Sequence, residues 1–303
     1  MNDCTNTRIY LVLPPNIMRR ARETIVARFP EADLDAPDIH SEMFAFANVF
    51  GQGPIPALTV SAYPQITLHV SALAAEGRLA EPAATLPPLR EEFVTLGMTP
   101  PTAMQRIVAV VPGVLAASDS LTHALEDWAD LCAPDFPGPI GCPPKDTPLP
   151  YLAEAVFKNM AGEGADALLE KLDTRSNPID INKRIASGEL AAALVIPAFA
   201  RTFRAGPNST GSGRMVWPKS GALAIPLTAC LAADAAPVAH DILAYLLSDE
   251  FQRVVVADGV IAPAAPGVPG FDELEENGWN LFWPGWDCIR SVAETMCTVN
   301  ITA

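Results

Sequence analysis

The sequence predicts a mixed α/β fold built from two domains. The chain has 303 residues, and compact domains usually hold roughly 100–150 residues each. Half of the residues are hydrophobic and 18% are charged, so the chain can bury a sizeable core. Near the N-terminus, strand-like and helix-like segments alternate, which is the pattern of a sheet covered by helices.

The first segments predict a strand–helix–strand unit. Residues 8–13, RIYLVL, are apolar and rich in β-branched and aromatic side chains, which favours a buried strand. Apolar residues then recur at helical spacing over 17–29. Residues 57–61, ALTVS, predict the next strand.

The middle of the chain alternates such elements with proline-rich stretches. Residues 82–101 predict irregular structure, and residues 105–118 predict a strand interrupted at Pro112 and Gly113. Thr147 and Pro148 are typical of an N-cap and a first helical position. The remaining predicted elements are helices over 121–131, 148–160, 165–172 and 179–187, a strand over 189–197 and a loop over 205–213.

The C-terminal third predicts two consecutive helices followed by a stiff segment. Pro237 begins the first helix, Ser248 caps the second, and Gly259 ends it. The following stretch, APAAPGVPG at 262–270, is uncharged and proline-rich. We therefore expect a rigid strap rather than a helix or a flexible linker there.

Composition excludes several functional classes. The formal net charge is −15, and so acidic a surface repels the phosphates of nucleic acids and of anionic lipids. No apolar run reaches the roughly 20 residues that a membrane span requires. We therefore expect neither nucleic-acid binding nor membrane insertion.

The sequence also lacks the motifs of common catalytic and metal sites. The four histidines have no spaced partner, and no HExxH, GxSxG, GxGxxG or P-loop motif occurs. The six cysteines form no CxxC pair. We predict no enzyme activity, no catalytic residue, no cofactor and no metal site. Most cysteines are expected to be buried thiols, with Cys132–Cys142 or Cys288–Cys297 disulfides left open.

Several motifs, taken in order, resemble bacterial extracellular solute-binding proteins, the type II periplasmic binding proteins of ABC importers. The resemblance covers 107–287 and outlines the N-terminal part. Its segments are LEDWADLCAPDFPGPIGCPPKDT, IASGELAAALVIP, RMVWPKSGALAIPL and PVAHDILAYLLSDEFQRVVVADGVIAPAAPGVPG.

The resemblance implies a two-lobed type II periplasmic-binding-protein fold with a double-strand hinge. Lobe 1 would comprise 1–108 and 222–303, and lobe 2 would comprise 109–221. The hinge strands would lie near 107–115 and 215–225. A small solute would be held in the cleft between the lobes.

Ligands of open α/β sheets bind beyond the carboxyl ends of strands, often against helix N-termini. Applied to this chain, that rule predicts Pro15, Asn16, Ser61 and Tyr63 as ligand-binding residues on lobe 1, and Lys145, Asp146, Thr147, Ala198 and Phe199 on lobe 2. Lys219 and Ser220 are added because they lie beside the second hinge strand, and Trp217 because its ring could stack on a ligand. Structural roles compete for some of them: Asn16 and Thr147 as helix caps, Tyr63 as an interface aromatic, Trp217 as hinge packing and the lysines as solvated side chains.

The solute class follows from the same residues. Helix N-termini and dispersed lysines favour a small polar or anionic solute. Ferric or metal-ion binding is an alternative, but the four tyrosines are isolated rather than paired as in the ferric-binding branch of the family.

The expected partners are a small-molecule ligand and an ABC permease, and the protein is expected to be a monomer. The resemblance implies a periplasmic or extracellular location. The given chain has no signal peptide, so a native start at Met1 would instead indicate a cytoplasmic sensor or carrier on the same scaffold.

Overall fold

The computed structural model of the chain describes residues 6–37, 54–145, 147–161, 165–203 and 212–299. The chain divides into two compact units. Unit 1 comprises Met1–Val110, Pro226–Asp272 and Gly285–Ala303, and unit 2 comprises Val111–Ile225 and Glu273–Pro284. The return of residues 273–284 to unit 2 was not predicted from the sequence.

Strands and helices alternate along most of the described chain. The strands are β1 (Arg8–Leu11), β2 (Asp33–Asp35), β3 (Leu58–Ser61), β4 (Leu79–Ala80), β5 (Gln105–Ser118), β6 (Ile140–Gly141), β7 (Leu172–Asp173), β8 (Ala192–Val195), β9 (Gly213–Val216), β10 (Ala222–Ala232), β11 (Ala262–Pro263) and β12 (Leu281–Phe282). The helices are α1 (Pro15–Arg28), α2 (Gln65–Ala75), α3 (Glu91–Thr95), α4 (Leu149–Ala161), α5 (Ala165–Leu169), α6 (Pro178–Ala186), α7 (Pro197–Ala200), α8 (Pro237–Leu246), α9 (Asp249–Ala257), α10 (Asp272–Glu276) and α11 (Trp286–Val299).

Unit 1 contains a mixed sheet with a parallel core. β1 pairs in parallel with β2 and with β3, and β10 runs antiparallel to β3 with Thr228 opposite Ser61. β11 adds an antiparallel pair to the first half of β5. α2 packs against α11. The buried faces of these strands carry the apolar runs that the sequence predicted.

Unit 2 is built on the second half of β5. That half pairs antiparallel with β8 and with β9, while β6 pairs in parallel with β7 and β8. Both β5 and β10 therefore contribute residues to each unit. None of the helices in the described part of the chain is long and apolar enough to cross a membrane.

The strap at 262–270 is fixed by two buried polar side chains. The Gln252 amide nitrogen donates to the carbonyls of Val108 and Leu246, at 2.9 and 2.7 Å, and its oxygen accepts from the Ala264 amide at 2.7 Å. The Arg90 guanidinium donates to the carbonyl of Pro263 and to that of Val268. The strap is thus anchored to unit 1 through its buried residues, while Pro266, Gly267 and Pro269 are exposed. The hydrogen bonds that hold it come from other residues, because proline has no N–H to donate.

Two stretches that were predicted to lack regular structure are regular in the fold. β5 is continuous through Pro112, which falls between the stretch paired with β11 and the stretch paired with β8. Its missing N–H therefore costs neither ladder a hydrogen bond. Within 82–101, predicted as irregular, residues 91–95 form the short helix α3.

The helix predicted over 121–131 was wrong. Only Trp128–Cys132 form a short 3₁₀ helix, which Asp127 caps. The Glu126 carbonyl accepts from the Lys219 amide at 3.0 Å, and the Asp127 carboxylate accepts from the Ser220 hydroxyl. The Glu126 carbonyl, which a regular helix would bond to the amide four residues later, is thus used by Lys219 instead.

Other helices also differ from the prediction in where they begin or end, or in whether they were predicted. The helix predicted over 165–172 ends at Leu169, since Leu172 already belongs to β7. Helices α2 and α11 were not predicted at all. The Ser248 hydroxyl caps α9 by accepting from the Phe251 amide, which confirms the predicted start of that helix.

The disulfides that the sequence left open do not form. Cys132, Cys142, Cys288 and Cys297 are all free thiols. Cys288 and Cys297 share α11, where nine residues of helix separate them by about 13 Å. A disulfide requires Cα atoms within about 7 Å.

Candidate ligand-binding site

Two adjacent parallel strands of unit 1 end at the same edge of its sheet, and each leads into a helix. β1 and β3 are in register, with Leu11 opposite Val60, and α1 and α2 each begin four residues after the strand that precedes them. The N-termini of both helices therefore lie at one edge. Free N–H groups and the helix dipole make such an edge attractive to anions and carbonyl oxygens.

Neither helix is capped by a side chain. The N-cap residues are Pro14 for α1 and Pro64 for α2, and neither makes a side-chain capping hydrogen bond. Proline has no side-chain acceptor, whereas Ser, Thr, Asp or Asn would have occupied an N–H group. Backbone carbonyls take up some of the first amides instead: Pro14 accepts from Ile17, and Tyr63 accepts from Ile66. The edge thus lacks the side-chain acceptors that usually cap a helix.

Gln65, the first residue of α2, is the polar side chain that sequence reasoning missed. It is 3% exposed, and neither its Nε2 nor its Oε1 has a hydrogen-bond partner. An unsatisfied buried polar group costs about 1–3 kcal/mol. Its only sequence signal was its place two residues after Tyr63, at a helix start that the sequence did not reveal.

The four residues predicted on this unit lie at the same edge but differ in availability. Pro15 is exposed at the first position of α1. The Asn16 side-chain nitrogen donates to the carbonyls of Asp258 and Gly259, at 3.0 and 2.9 Å. Asn16 therefore satisfies carbonyl groups at the end of α9, a role that neither sequence reading of this residue included.

Ser61 and Tyr63 are both buried. The Ser61 hydroxyl accepts from the Tyr63 amide at 3.0 Å, which shapes the turn between β3 and α2. Tyr63 is 1% exposed, so its ring belongs to the core of unit 1 in this conformation. Its contribution to a site would be to position the turn that precedes Gln65.

In unit 2, three predicted residues lie in one turn, and each has a structural partner. The Lys219 ammonium pairs with the Glu126 carboxylate, and the Ser220 hydroxyl donates to Asp127. The indole nitrogen of half-buried Trp217 donates to the carbonyl of Asn280 at 2.9 Å. This turn is therefore held to neighbouring segments of unit 2 without any ligand.

The other predicted residues of unit 2 occupy separate elements. Lys145 is exposed, and Asp146 lies outside the described residues. The Thr147 hydroxyl donates to the Pro144 carbonyl at 2.7 Å, while α4 begins at Leu149. Thr147 thus closes a turn before the helix; the helix itself begins one residue later than predicted.

Ala198 and Phe199 are half-buried in the single turn of α7. The Phe199 carbonyl accepts from the Asn182 side chain at 2.8 Å. The Oδ1 atom of Asn182 is buried and has no hydrogen-bond partner. A buried free acceptor thus lies beside the element that the sequence selected.

The described residues do not offer a metal centre. Among them, no three His, Cys, Asp or Glu side chains come together in a way that could hold an ion. All four tyrosines are at most 7% exposed, and they occupy four different segments: β1, the β3–α2 turn, α4 and α8. They provide no neighbouring pair of phenolates for a ferric ion.

Comparison with known proteins identifies one family model that matches most of the chain. The family model described as bacterial extracellular solute-binding protein matches residues 70–292. The comparison with curated proteins finds no match.

Solved structures match over nearly the whole chain. Apo ferric ion-binding protein A of Pasteurella haemolytica has a TM-score of 0.75 at 11% identity and covers 99% of this chain and 98% of its own. Iron-bound HitA of Pseudomonas aeruginosa has a TM-score of 0.70 at 15% identity, with coverage of 97% and 98%. The Trichodesmium protein IdiA (FutA), in complex with iron and citrate ligands, has a TM-score of 0.68 at 15% identity, with coverage of 97% and 96%. At these identities the likeness concerns the fold alone, and it confirms the predicted α/β fold of two-lobed periplasmic binding proteins.

Proposed function

The chain belongs to the family of bacterial extracellular solute-binding proteins, and we propose that the solute it binds for ABC transport is a small polar or anionic molecule. The observation that carries the proposal is the buried, unpartnered Gln65 amide at a sheet edge where two helices begin without side-chain caps. A bound solute would supply the missing partners.

The chemistry of this edge limits the solute. A glutamine amide offers two donors and one acceptor oxygen, so its best partner carries both kinds of group. Uncapped helix N-termini favour a carboxylate or another oxyanion. A small carboxylic acid that also bears a hydroxyl, amino or amide group meets both requirements.

The test is a thermal-shift panel of hydroxy acids, amino acids, dicarboxylates and inorganic oxyanions. A ligand present at 100 times its Kd stabilises the folded state by about 2.7 kcal/mol, which raises Tm by several degrees. We expect at least one organic acid to raise Tm. No shift with any member of the panel would remove the main support for this solute class.

A matched pair of variants then tests the site. Gln65→Leu should abolish the ligand-induced shift. Gln105→Leu should leave the shift unchanged. Gln105 is as buried and as unpartnered as Gln65, but it lies at the start of β5 and not at the carboxyl ends of β1 and β3. Equal ligand shifts in both variants would contradict the assignment of Gln65.

Ferric or metal-ion binding is the second candidate, and it is favoured by what the solved structures of similar fold are described as binding. The same panel includes Fe³⁺ alone and Fe³⁺ with citrate. Because the described residues form no metal cluster, we expect no shift with Fe³⁺ alone. A shift with the bare ion would instead favour iron as the solute.

We further propose a periplasmic or extracellular location and an ABC permease as partner, both of which follow from family membership. The family binds solutes for transport rather than converting them. Recovery of the chosen solute unchanged after prolonged incubation with the protein would support a binding role without turnover. The appearance of a product would indicate an enzyme.

A further inference from the structure

Unit 1 carries a small surface pocket that lies among segments other than the β1 and β3 ends. Its cavity volume is about 20 Å³, which is room for one or two water-sized groups, and it opens onto solvent. Proline rings and other apolar groups form most of its wall, with one charged side chain among them. Its lining includes Pro87, Pro88, Pro100, Arg106, Leu247 and Ala264.

Arg106 lacks the partner that its position demands. The side chain is half-buried, its Nε atom is buried, and no group accepts a hydrogen bond from that atom. Among the described residues, no carboxylate forms an ion pair with Arg106, whereas the nearby Arg90 pairs with Glu92. A buried N–H group normally has a hydrogen-bond partner, so the Arg106 Nε–H is a donor available to a ligand.

The pocket is preformed. Gln252 fixes the backbone of Ala264 and Ala265 by accepting from both amides, at 2.7 and 3.4 Å. The Arg90 amide donates to the Ala264 carbonyl at 3.1 Å. The prolines that also line the pocket have a fixed φ, so little ordering is needed when a group enters.

We propose that this pocket binds a carboxylate carried on a short apolar group. Arg106 would form charge-assisted hydrogen bonds to the two carboxylate oxygens, because its planar guanidinium matches their geometry. The proline and leucine side chains would contact the apolar part. The pocket is too small for a long chain, so the ligand is either a free short-chain acid or the C-terminal end of a peptide.

Titration with propionate, followed by NMR amide spectra of the full chain, tests this proposal. We expect saturable shifts at Ile107, Ala264 and Ala265. Arg106→Gln should weaken binding about tenfold or more, because a hydrogen bond to a charged group is lost. Arg106→Lys keeps the positive charge and should bind propionate more tightly than the glutamine variant.

Three controls test whether binding needs the negative charge of the ligand, whether it depends on Arg106 and whether the carboxylate belongs to a free acid or to a peptide end. Propionamide should cause no saturable shift, since it lacks the anion. Arg22→Gln removes an exposed arginine of the same unit and should leave propionate binding unchanged. A short peptide ending in alanine, compared with its C-terminal amide, shows whether a chain end is bound more tightly than the free acid.

Three outcomes would overturn the proposal: no saturable shift with propionate or with the free-acid peptide, equal binding by propionamide, or unchanged propionate affinity in Arg106→Gln. The proposal does not depend on the solute site. Propionate titration of Gln65→Leu should give the wild-type result, so failure of one site is distinguishable from failure of the other.

Discussion

Two buried glutamines of unit 1 show how the same residue serves opposite purposes. The Gln252 amide is fully buried, and its hydrogen bonds join β5, the end of α8 and the strap at 262–270. Gln65 is almost as buried but has no partner for either polar atom. Gln252 therefore stabilises the fold. The unpartnered amide of Gln65 lowers the stability of the ligand-free protein, and a ligand that bonds to it would raise that stability.

The substitution Gln252→Leu should destabilise the protein by about 3–5 kcal/mol, because it leaves buried carbonyl and amide groups of three segments unsatisfied. Urea unfolding followed by circular dichroism measures this loss. The side-chain volumes are similar, so a cavity contributes little.

Gln65→Leu is the matched control for Gln252→Leu. We expect the free energy of unfolding of the ligand-free protein to be unchanged or higher, because an unpaired amide is replaced by an apolar group. A loss as large as that in Gln252→Leu would mean that Gln65 has a structural partner and would weaken its assignment as a ligand residue.

At the scale of elements, one buried carboxylate joins β7 to α6 in unit 2. Asp173 has a side chain that is 4% exposed, and it accepts hydrogen bonds at 2.8 Å from Arg175 and from Arg184. The Arg175 hydrogen bonds, together with those of Arg184, hold the pKa of Asp173 well below its usual range, although burial acts in the opposite direction. Arg175 is 83% exposed, so the half-buried Arg184 is the partner that matters most for stability.

Because the pKa of Asp173 is lower in the folded than in the unfolded state, its contribution is present above the unfolded pKa, about 3.9, and is lost as pH falls further. Asp173→Asn should therefore destabilise the protein by about 2–3 kcal/mol at neutral pH. The difference from wild type should shrink progressively below about pH 4.

Urea unfolding of both proteins between neutral pH and the lowest pH at which they fold checks this dependence. Glu23→Gln is the control, since Glu23 forms only an exposed pair with Arg19 within α1, and it should change stability by less than about 0.5 kcal/mol. A destabilisation by Asp173→Asn that stays constant with pH would contradict the ionic role.

At the scale of the whole molecule, each unit contains a fully buried thiol that can report on its unfolding. Cys142 lies in unit 2 and Cys230 in unit 1. Burial raises the pKa of Cys230 to about 12, and it raises that of Cys142 still further above the usual range. The reactive species of a cysteine is the thiolate, so both residues should be inert in the native protein.

We expect iodoacetamide to leave Cys142 and Cys230 unmodified in native buffer at pH 8 and to label both above the urea transition. Mass spectrometry of tryptic peptides reads each site separately. The half-buried Cys132 and Cys288 serve as internal comparisons. Labelling of either buried thiol at the native baseline would show that its unit opens without global unfolding.

Much of the fold was predictable because it depends on local sequence. Neighbouring residues alone reveal the apolar run over 8–13, the helical spacing over 17–29 and the cap at Ser248. The helix predicted over 121–131 failed because Glu126 and Asp127 bond a turn about ninety residues away. Local propensity cannot register such a contact.

The position of the sheet edge that follows β1 and β3 was predictable, while its role as a ligand site stays a prediction. The rule for strand ends selected the edge that follows β1 and β3, and the structure brings those residues together there. It did not select Gln65, whose significance lies in a lack of partners that only coordinates reveal. Conversely, Asn16, Lys219 and Ser220 have partners that the sequence gave no means of finding.

By itself, the sequence determined the α/β class and the family resemblance, because periodicity, caps and motif order can be read along the chain. The tertiary structure alone decided which polar groups are satisfied. It showed that the Gln252 amide joins the proline strap to β5, that Gln65 and Arg106 are left without partners, and that residues 273–284 return to unit 2. The physical reason is that a hydrogen bond or ion pair depends on the distance between two groups, and the fold sets that distance between residues far apart in the sequence.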